Sequence, residues 1–294
     1  MKIVENRLKY FAVSAIVIIA GIAAMVLNAS NGKGAFNYDV EFTGGTAMSV
    51  HIGQEFENSD IEQIVKDVTG QKSPQIQKTG DGTEVSIKIQ SVDSETRTEV
   101  FNAIKDKYSL TDADLLSSMD ISGTVSGEMQ QKAIMAVVLA CICMLIYISI
   151  RFKDLRAGAS AILTLLHDCI VVIAFYAILR IPLNNSFIAA LLTILGYSIN
   201  ATIVIFDRVR ENKGRMTKAK ANEVIDSSVK QTLARSINTS VTTLLTIGAV
   251  YILGVTSVKQ FALPIIIGII SGAYSSICLA GSIWYMLLPA NKKK

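Results

Sequence analysis

His167 and Asp168 stand side by side in the middle of an otherwise apolar run, residues 157–178. They lie some ten residues into it, which at 1.5 Å per helical residue is roughly 15 Å, near the midplane of a bilayer. Ionisable groups at that depth are expensive and are kept where something binds or protons pass. A carboxyl there can load and release a proton. The other reading is a structural polar pair that hydrogen-bonds neighbouring helices.

Two later apolar runs add polar faces. In residues 187–206, Thr193, Tyr197 and Asn200 recur at spacings of four and three and so share a helix face. Asn200 can donate and accept a hydrogen bond but cannot carry a proton. The next run opens with Arg235, Asn238, Thr239, Thr242 and Thr246. That stripe reads as a helix facing a polar interior, although Arg235 alone could be an anchor that snorkels to the interface. Gly268, Gly272, Ser276 and Ala280 recur every four residues, the spacing that lets helix backbones approach closely.

Other chemistries are poorly supplied. The two histidines, His51 and His167, have no metal-ligand spacing around them, and no metal or other cofactor is expected. Cys141, Cys143, Cys169 and Cys278 all fall in apolar runs and read as small core residues. No Walker loop or G-x-S-x-G is present, and Gly44-Gly45 is too short for a phosphate cradle. The chain is not expected to be an enzyme or to bind nucleic acid.

The elements that must position these residues are helices. Of 294 residues, 51% are hydrophobic and the mean hydropathy is +0.44, too apolar for an ordinary soluble protein. Six stretches are long enough to span: residues 8–27, 133–150, 157–178, 187–206, 237–253 and 262–288. The first reads as a retained anchor rather than a removed signal. Basic residues cluster before the first stretch, after the second (Arg151, Lys153, Arg156), after the fourth (Asp207 to Arg235) and at the C-terminus (Lys292 to Lys294). The positive-inside rule then places both termini in the cytoplasm and residues 29–130 outside. That block holds 8 Lys/Arg against 17 Asp/Glu, about −9 in an overall +4 chain.

The expected organisation is an N-terminus and first span (1–28), an extracytoplasmic α+β domain (29–130), and a five-helix bundle (131–294) with a cytoplasmic connector at 207–234. Residues 219–233 of the connector look like an amphipathic interfacial helix that meets anionic lipid. In the external domain, 36–42 and 47–52 read as strands around a Thr43-Gly-Gly-Thr46 turn. Ser59-Asp-Ile-Glu62 reads as a capping box opening a helix. Thr79-Gly-Asp-Gly82 reads as a hairpin turn, residues 94–108 as a second helix, and residues 123–127 as a flexible lead into the second span. The order ββαββα suggests a small, ferredoxin-like domain with helices on one face of an antiparallel sheet. Gly44 and Gly45 mark either a tight turn or a moving hinge.

These segments together resemble the SecD/SecF family of protein-export subunits, an RND-like membrane group. The likeness rests on VEFTGGT at 40–46, GTVSG at 123–127, LHD at 166–168, GYSINATIVIFDRVREN at 196–212 (with Gly196, Asp207 and Arg208), and RSINTS at 235–240. It implies an accessory subunit, working with SecD beside the SecYEG channel, that uses the proton-motive force to promote preprotein translocation. YidC and SecA-driven preproteins are further implied partners, and a multi-pass place in a bacterial cytoplasmic membrane is implied. Many family members carry Asp where this chain has Ala201, so the titrating group proposed there is missing. His167, Asp168, Asn200 and Arg235 are then the coupling candidates, backed by the polar face of Tyr197, Asn238, Thr239 and Thr242, and SecD supplies the main carboxylate. The alternatives are a proton-driven RND-type exporter of small molecules or lipids, for which the chain is half the usual size, and a passive scaffold.

Overall fold

A computed structural model describes residues 2–32, 34–71, 74–152, 154–212 and 221–288. Its packing separates two units. One comprises residues 38–134 with 183–185; the other comprises 1–37, 135–182 and 186–294.

The smaller unit begins with a four-residue helix, α2 (Val40–Thr43), which follows the first span, α1 (Arg7–Ser30). Then come β1 (Gly45–His51), α3 (Asn58–Thr69), β2 (Gln75–Thr79), β3 (Glu84–Ile89), α4 (Ser94–Tyr108) and β4 (Leu115–Ile121). The sheet order is β2-β3-β1-β4, and every neighbouring pair is antiparallel. One sheet face and both longer helices close a core of Met48, Val50, Ile61, Val65, Val85, Ile87, Val100, Phe101 and Ile104. The alternating burial of β1 and β3 is what puts these apolar side chains on one side.

This differs from the expected ββαββα in two places. Residues 36–42 are not a strand: the Asp39 carboxylate accepts from the Val40 N–H and starts a helical turn that buries Val40 and Phe42. Conversely, β4 (LLSSMDI) is an edge strand with mostly exposed side chains, so no apolar alternation announces it. The hairpin at 79–82 does join β2 to β3.

Gly44 and Gly45 make a tight turn. Their φ values are +74° and +134°, and a Cβ on Gly45 would lie 2.5 Å from the Ile89 carbonyl oxygen. A side chain there is strained both by conformation and by the approach of β3.

Asp120 on β4 ties the sheet edge. The Thr46 and Ser91 hydroxyls donate to its Oδ1 at 2.7 and 2.8 Å, and these two bonds hold its carboxyl below the usual carboxylate range. A lowered folded value contributes stability above the unfolded value of about 3.9, and that contribution disappears as pH falls through the folded value. In an acid titration followed by near-ultraviolet circular dichroism, Asp120→Asn is expected to flatten the loss of stability below about pH 4. A variant as acid-sensitive as the parent counts against this.

The larger unit is helical. α5 (Gly123–Phe152) starts in the sheet unit and continues as a span; α6 (Leu155–Leu179), α7 (Asn185–Asn212), α8 (Ala221–Leu253) and α9 (Thr256–Ser275) follow. A π turn, Ser276–Ala280, leads into α10 (Gly281–Leu287). With α9 and α10 taken as one rod, six helices are long and apolar enough to cross a membrane. Residues 123–127, expected as a flexible lead, are already helical. The fifth span begins at 221, so residues 221–233 are not a separate interfacial helix but the first turns of α8. Lys153, residues 213–220 and Lys292 to Lys294 lie outside the described residues.

α6 is central. Its face of Ala157, Ala161, Leu165, Val172 and Ala177 is buried. A Cβ on Gly21 of α1 would meet the Ala174 Cβ at 2.3 Å, which marks how closely α1 crosses α6. The small residues of α9 work in the same way: a Cβ on Gly268 would strike Ile194 of α7 at 2.5 Å. α1, α5 and most of α8 keep their apolar outer faces uncovered.

Candidate functional site

The sequence-predicted residues fall into two clusters on opposite sides of α7. The first surrounds Asp168, which is completely buried. Ser198 of α7 donates to Asp168 Oδ2 at 2.6 Å, Ser275 of α9 to the same oxygen at 2.8 Å, and Ser271 to Oδ1 at 2.8 Å. His167 Nδ1 lies 3.1 Å from Oδ1, and its Nε2 lies 2.9 Å from the Ser14 hydroxyl of α1. A neutral ring with its proton on Nδ1 satisfies both contacts, since an ionised carboxylate only accepts and Ser14 can donate to Nε2. One turn away, the Thr202 and Ser276 hydroxyls are 2.9 Å apart, and Ser160 donates to the Ala280 carbonyl at 2.7 Å. A buried carboxylate with a full set of donors thus joins α1, α6, α7 and α9.

None of those serines stands out in the sequence, although a faint signal is present. Ser271 and Ser275 sit four apart on the small-residue helix, and Ser198 lies inside GYSIN, one residue off the face of Thr193, Tyr197 and Asn200.

The second cluster lies between α7 and α8. Tyr197, Asn200, Ala201, Arg235, Ser236 and Thr239 line a cavity of about 160 Å³. The Tyr197 hydroxyl is 3.5 Å from that of Ser240, a long contact. A larger, more polar cavity of about 480 Å³ adjoins it, lined by Arg151, Asp207, Arg208, Arg210, Glu211 and Gln231, and Val204 and Arg235 line both. Asp207 pairs with Arg151 at 3.4 Å and Arg210 at 3.1 Å, and Arg208 is held by Glu211 at 2.6 Å and Gln231 at 2.5 Å. The motif residues Asp207 and Arg208 therefore knit the ends of α5, α7 and α8. Gly196 is open, with nothing within 4 Å of a Cβ built there.

The threonine stripe departs from its expected role. Thr239, Thr242, Thr243 and Thr246 each donate to a backbone carbonyl four residues earlier on α8, at 2.8–3.0 Å. Thr193 does the same on α7. These hydroxyls are satisfied within their own helix and do not by themselves demand a polar neighbour. Asn200, Arg235 and Asn238 are different. All three are exposed, and among the described residues no hydrogen bond or ion pair reaches their side chains. Chemically, one cluster offers a buried carboxyl that accepts from three serine hydroxyls. The other offers a positive charge, Arg235, with the Asn200 amide lining the same cavity.

Comparison with known proteins gives a consistent result. The C-terminal domain model of the SecD/SecF protein export membrane proteins matches residues 100–290. The protein translocase subunit SecF of Sebaldella termitidis is 34% identical over 98% of this chain and 92% of its own length. The subunit SecDF of Bacillus subtilis is 33% identical over 95% of this chain, which spans only 37% of that longer protein. The crystal structure of Thermus thermophilus SecDF, a translocon-associated membrane protein, superposes with a TM-score of 0.81 at 32% identity, covering 96% of this chain and 38% of the solved one. Six helices apolar enough to span a membrane, a buried carboxyl shared among four of them, one small antiparallel sheet unit and these matches lead to one conclusion: the chain is a multi-pass membrane protein that belongs to the SecD/SecF protein-export family.

Proposed function

We propose that this chain is the SecF-type half of a proton-driven accessory to the Sec machinery. It pairs with a SecD-type partner beside SecYEG and promotes preprotein movement on the outer side of the membrane. The observation that carries this is the bare polar pair of Asn200 and Arg235, which line the cavity between α7 and α8. Within the hydrocarbon such groups must be covered by protein or line a wet cavity. The SecDF relatives, of which this chain spans 37–38%, supply in one polypeptide the additional length that could cover it.

In this reading both termini are cytoplasmic and residues 29–130 extracytoplasmic, and the split β-α-β order of the sheet supports a ferredoxin-like domain there. Arg235 and Asn200 face the partner's titrating carboxylate, with Ala201 leaving room for it. Asp168 holds α6, α7 and α9 in the arrangement that the partner's protonation biases. SecA-driven preproteins are the load, and YidC and lipid are neighbours. An inward proton releases roughly 2.3 kcal/mol per 100 mV, enough to shift a two-state equilibrium by nearly 50-fold.

The test is co-purification of the chain with its SecD-type partner, followed by export of a reporter preprotein at two external pH values. A stable complex with pH-dependent export is expected. A chain that neither binds the partner nor alters export overturns the reading.

A further inference from the structure

The cavity between α7 and α8 has an unbalanced lining. Among the described residues around it, Arg235 alone carries a charge. No hydrogen bond or ion pair reaches its guanidinium or the Asn200 amide among those residues. The nearby carboxylates are engaged elsewhere. In the adjoining cavity Asp207 is paired with Arg151 and Arg210, and Glu211 with Arg208. Asp168 lies on the other side of α7 and accepts from three serines.

More donors line the same space. Ser236 is only 6% exposed, and its buried hydroxyl oxygen has no hydrogen-bond partner among the described residues. A buried hydroxyl ordinarily has one. The Tyr197 hydroxyl, whose contact with Ser240 is long at 3.5 Å, is a further donor. Guanidinium, amide and hydroxyls can all offer N–H or O–H to one ligand. The adjoining cavity reinforces the sign: besides Arg235 it is lined by three arginines against two carboxylates. At roughly 10–15 Å³ for each enclosed water, about 160 Å³ is room for a halide-sized ion with several waters. Ala201 contributes only a methyl group to the wall and leaves that space open.

We propose that this cavity binds a small monovalent anion, of which chloride is the simplest, with Arg235 as the counter-charge and Asn200 and Ser236 as hydrogen-bond donors. Arg235 stands on a helix long and apolar enough to cross a membrane, where an uncompensated guanidinium is costly. An anion beside it offsets that cost within this chain, before any partner is present. Its bonds to the guanidinium are charge-assisted and so stronger than neutral ones. The site stands on this chain's own residues; only its competition with a partner's carboxylate rests on the proton-driven reading above.

The test uses the purified full chain in detergent. Chloride is titrated against gluconate at constant ionic strength and followed by the broadening of the chloride nuclear resonance. A saturable broadening is expected in the parent. Arg235→Ala is expected to weaken binding at least about tenfold, and Ser236→Ala about threefold. Ala201→Asp sets a carboxylate in the cavity without removing a donor. It is expected to abolish the saturable component while a thermal melt shows the chain still folded. No saturable component in the parent, or one untouched by Arg235→Ala and Ala201→Asp, overturns the site. Repeating the titration with the SecD-type partner bound separates the two sources of negative charge. Binding at least about threefold weaker is expected in the complex, because the partner's ionised carboxylate takes the same place. An unchanged affinity there upholds the anion site and overturns the placement of that carboxylate against Arg235.

Discussion

Arg235→Ala is expected to lower proton-dependent export at least tenfold while leaving the chain folded. The guanidinium has no hydrogen-bond or ion-pair partner among the described residues, so its removal breaks no such bond there. A change in stability within about 0.5 kcal/mol is expected for such an exposed position. What is lost is a permanent positive charge between the two polar cavities, where the proposed partner would place its carboxylate. Arg235→Lys keeps the charge without the planar fork and is expected to recover part of the export. Export assayed at two external pH values, beside a thermal melt of the purified chain, separates the effects. An Arg235→Ala chain that exports normally removes Arg235 from the coupling path.

Asp168→Ala is expected to do the reverse, with stability as the first casualty. It strips the acceptor from three serine hydroxyls and from His167. At about 0.6–1 kcal/mol for each hydrogen bond within a helical membrane protein, the loss is roughly 2–4 kcal/mol. Asp168→Asn retains one carbonyl oxygen but turns the other acceptor into a donor facing hydroxyls, which can rotate to accept. It is expected to cost about half as much. Melting of the purified chain decides the first effect. The Asp168→Asn chain, if folded and bound to its partner, decides whether Asp168 also takes part in the proton path: export that keeps its pH dependence leaves the residue as a fastener.

The spans were legible because apolar runs long enough to cross a bilayer are rare in chains that do not enter one. The polar positions within them were legible because they interrupt that signal. Their grouping was not. Asp168 and Asn200 look like one site when read by depth, yet α7 separates them, because Ser198 points to one side and Tyr197 and Asn200 to the other. The threonines of α8 were over-read: period alone does not reveal that a hydroxyl is already bonded to its own helix. In the sheet unit, β1 was legible from the glycine turn before it and the β2–β3 pair from its hairpin turn, whereas β4 at the edge has neither a turn signal nor an apolar alternation to offer. The 36–42 segment mimicked a strand because a single capped turn can bury Val40 and Phe42 as a strand would.

The π turn at Ser276–Ala280 sets how the last span tolerates changes in length. A turn of that kind holds one residue more than an α turn, so it acts as a phase shifter of about 100°. Upstream, Ser271 and Ser275 address Asp168; downstream, Trp284 packs at a tilt against Phe206, with ring centroids 6.4 Å apart. Deleting one residue inside the turn would regularise the helix and rotate everything beyond it, swinging Trp284 off that aromatic neighbour while sparing the serines. An insertion elsewhere in the rod has no comparable reservoir to absorb it. The wide turn is therefore the joint that keeps each half of this helix facing its own partner.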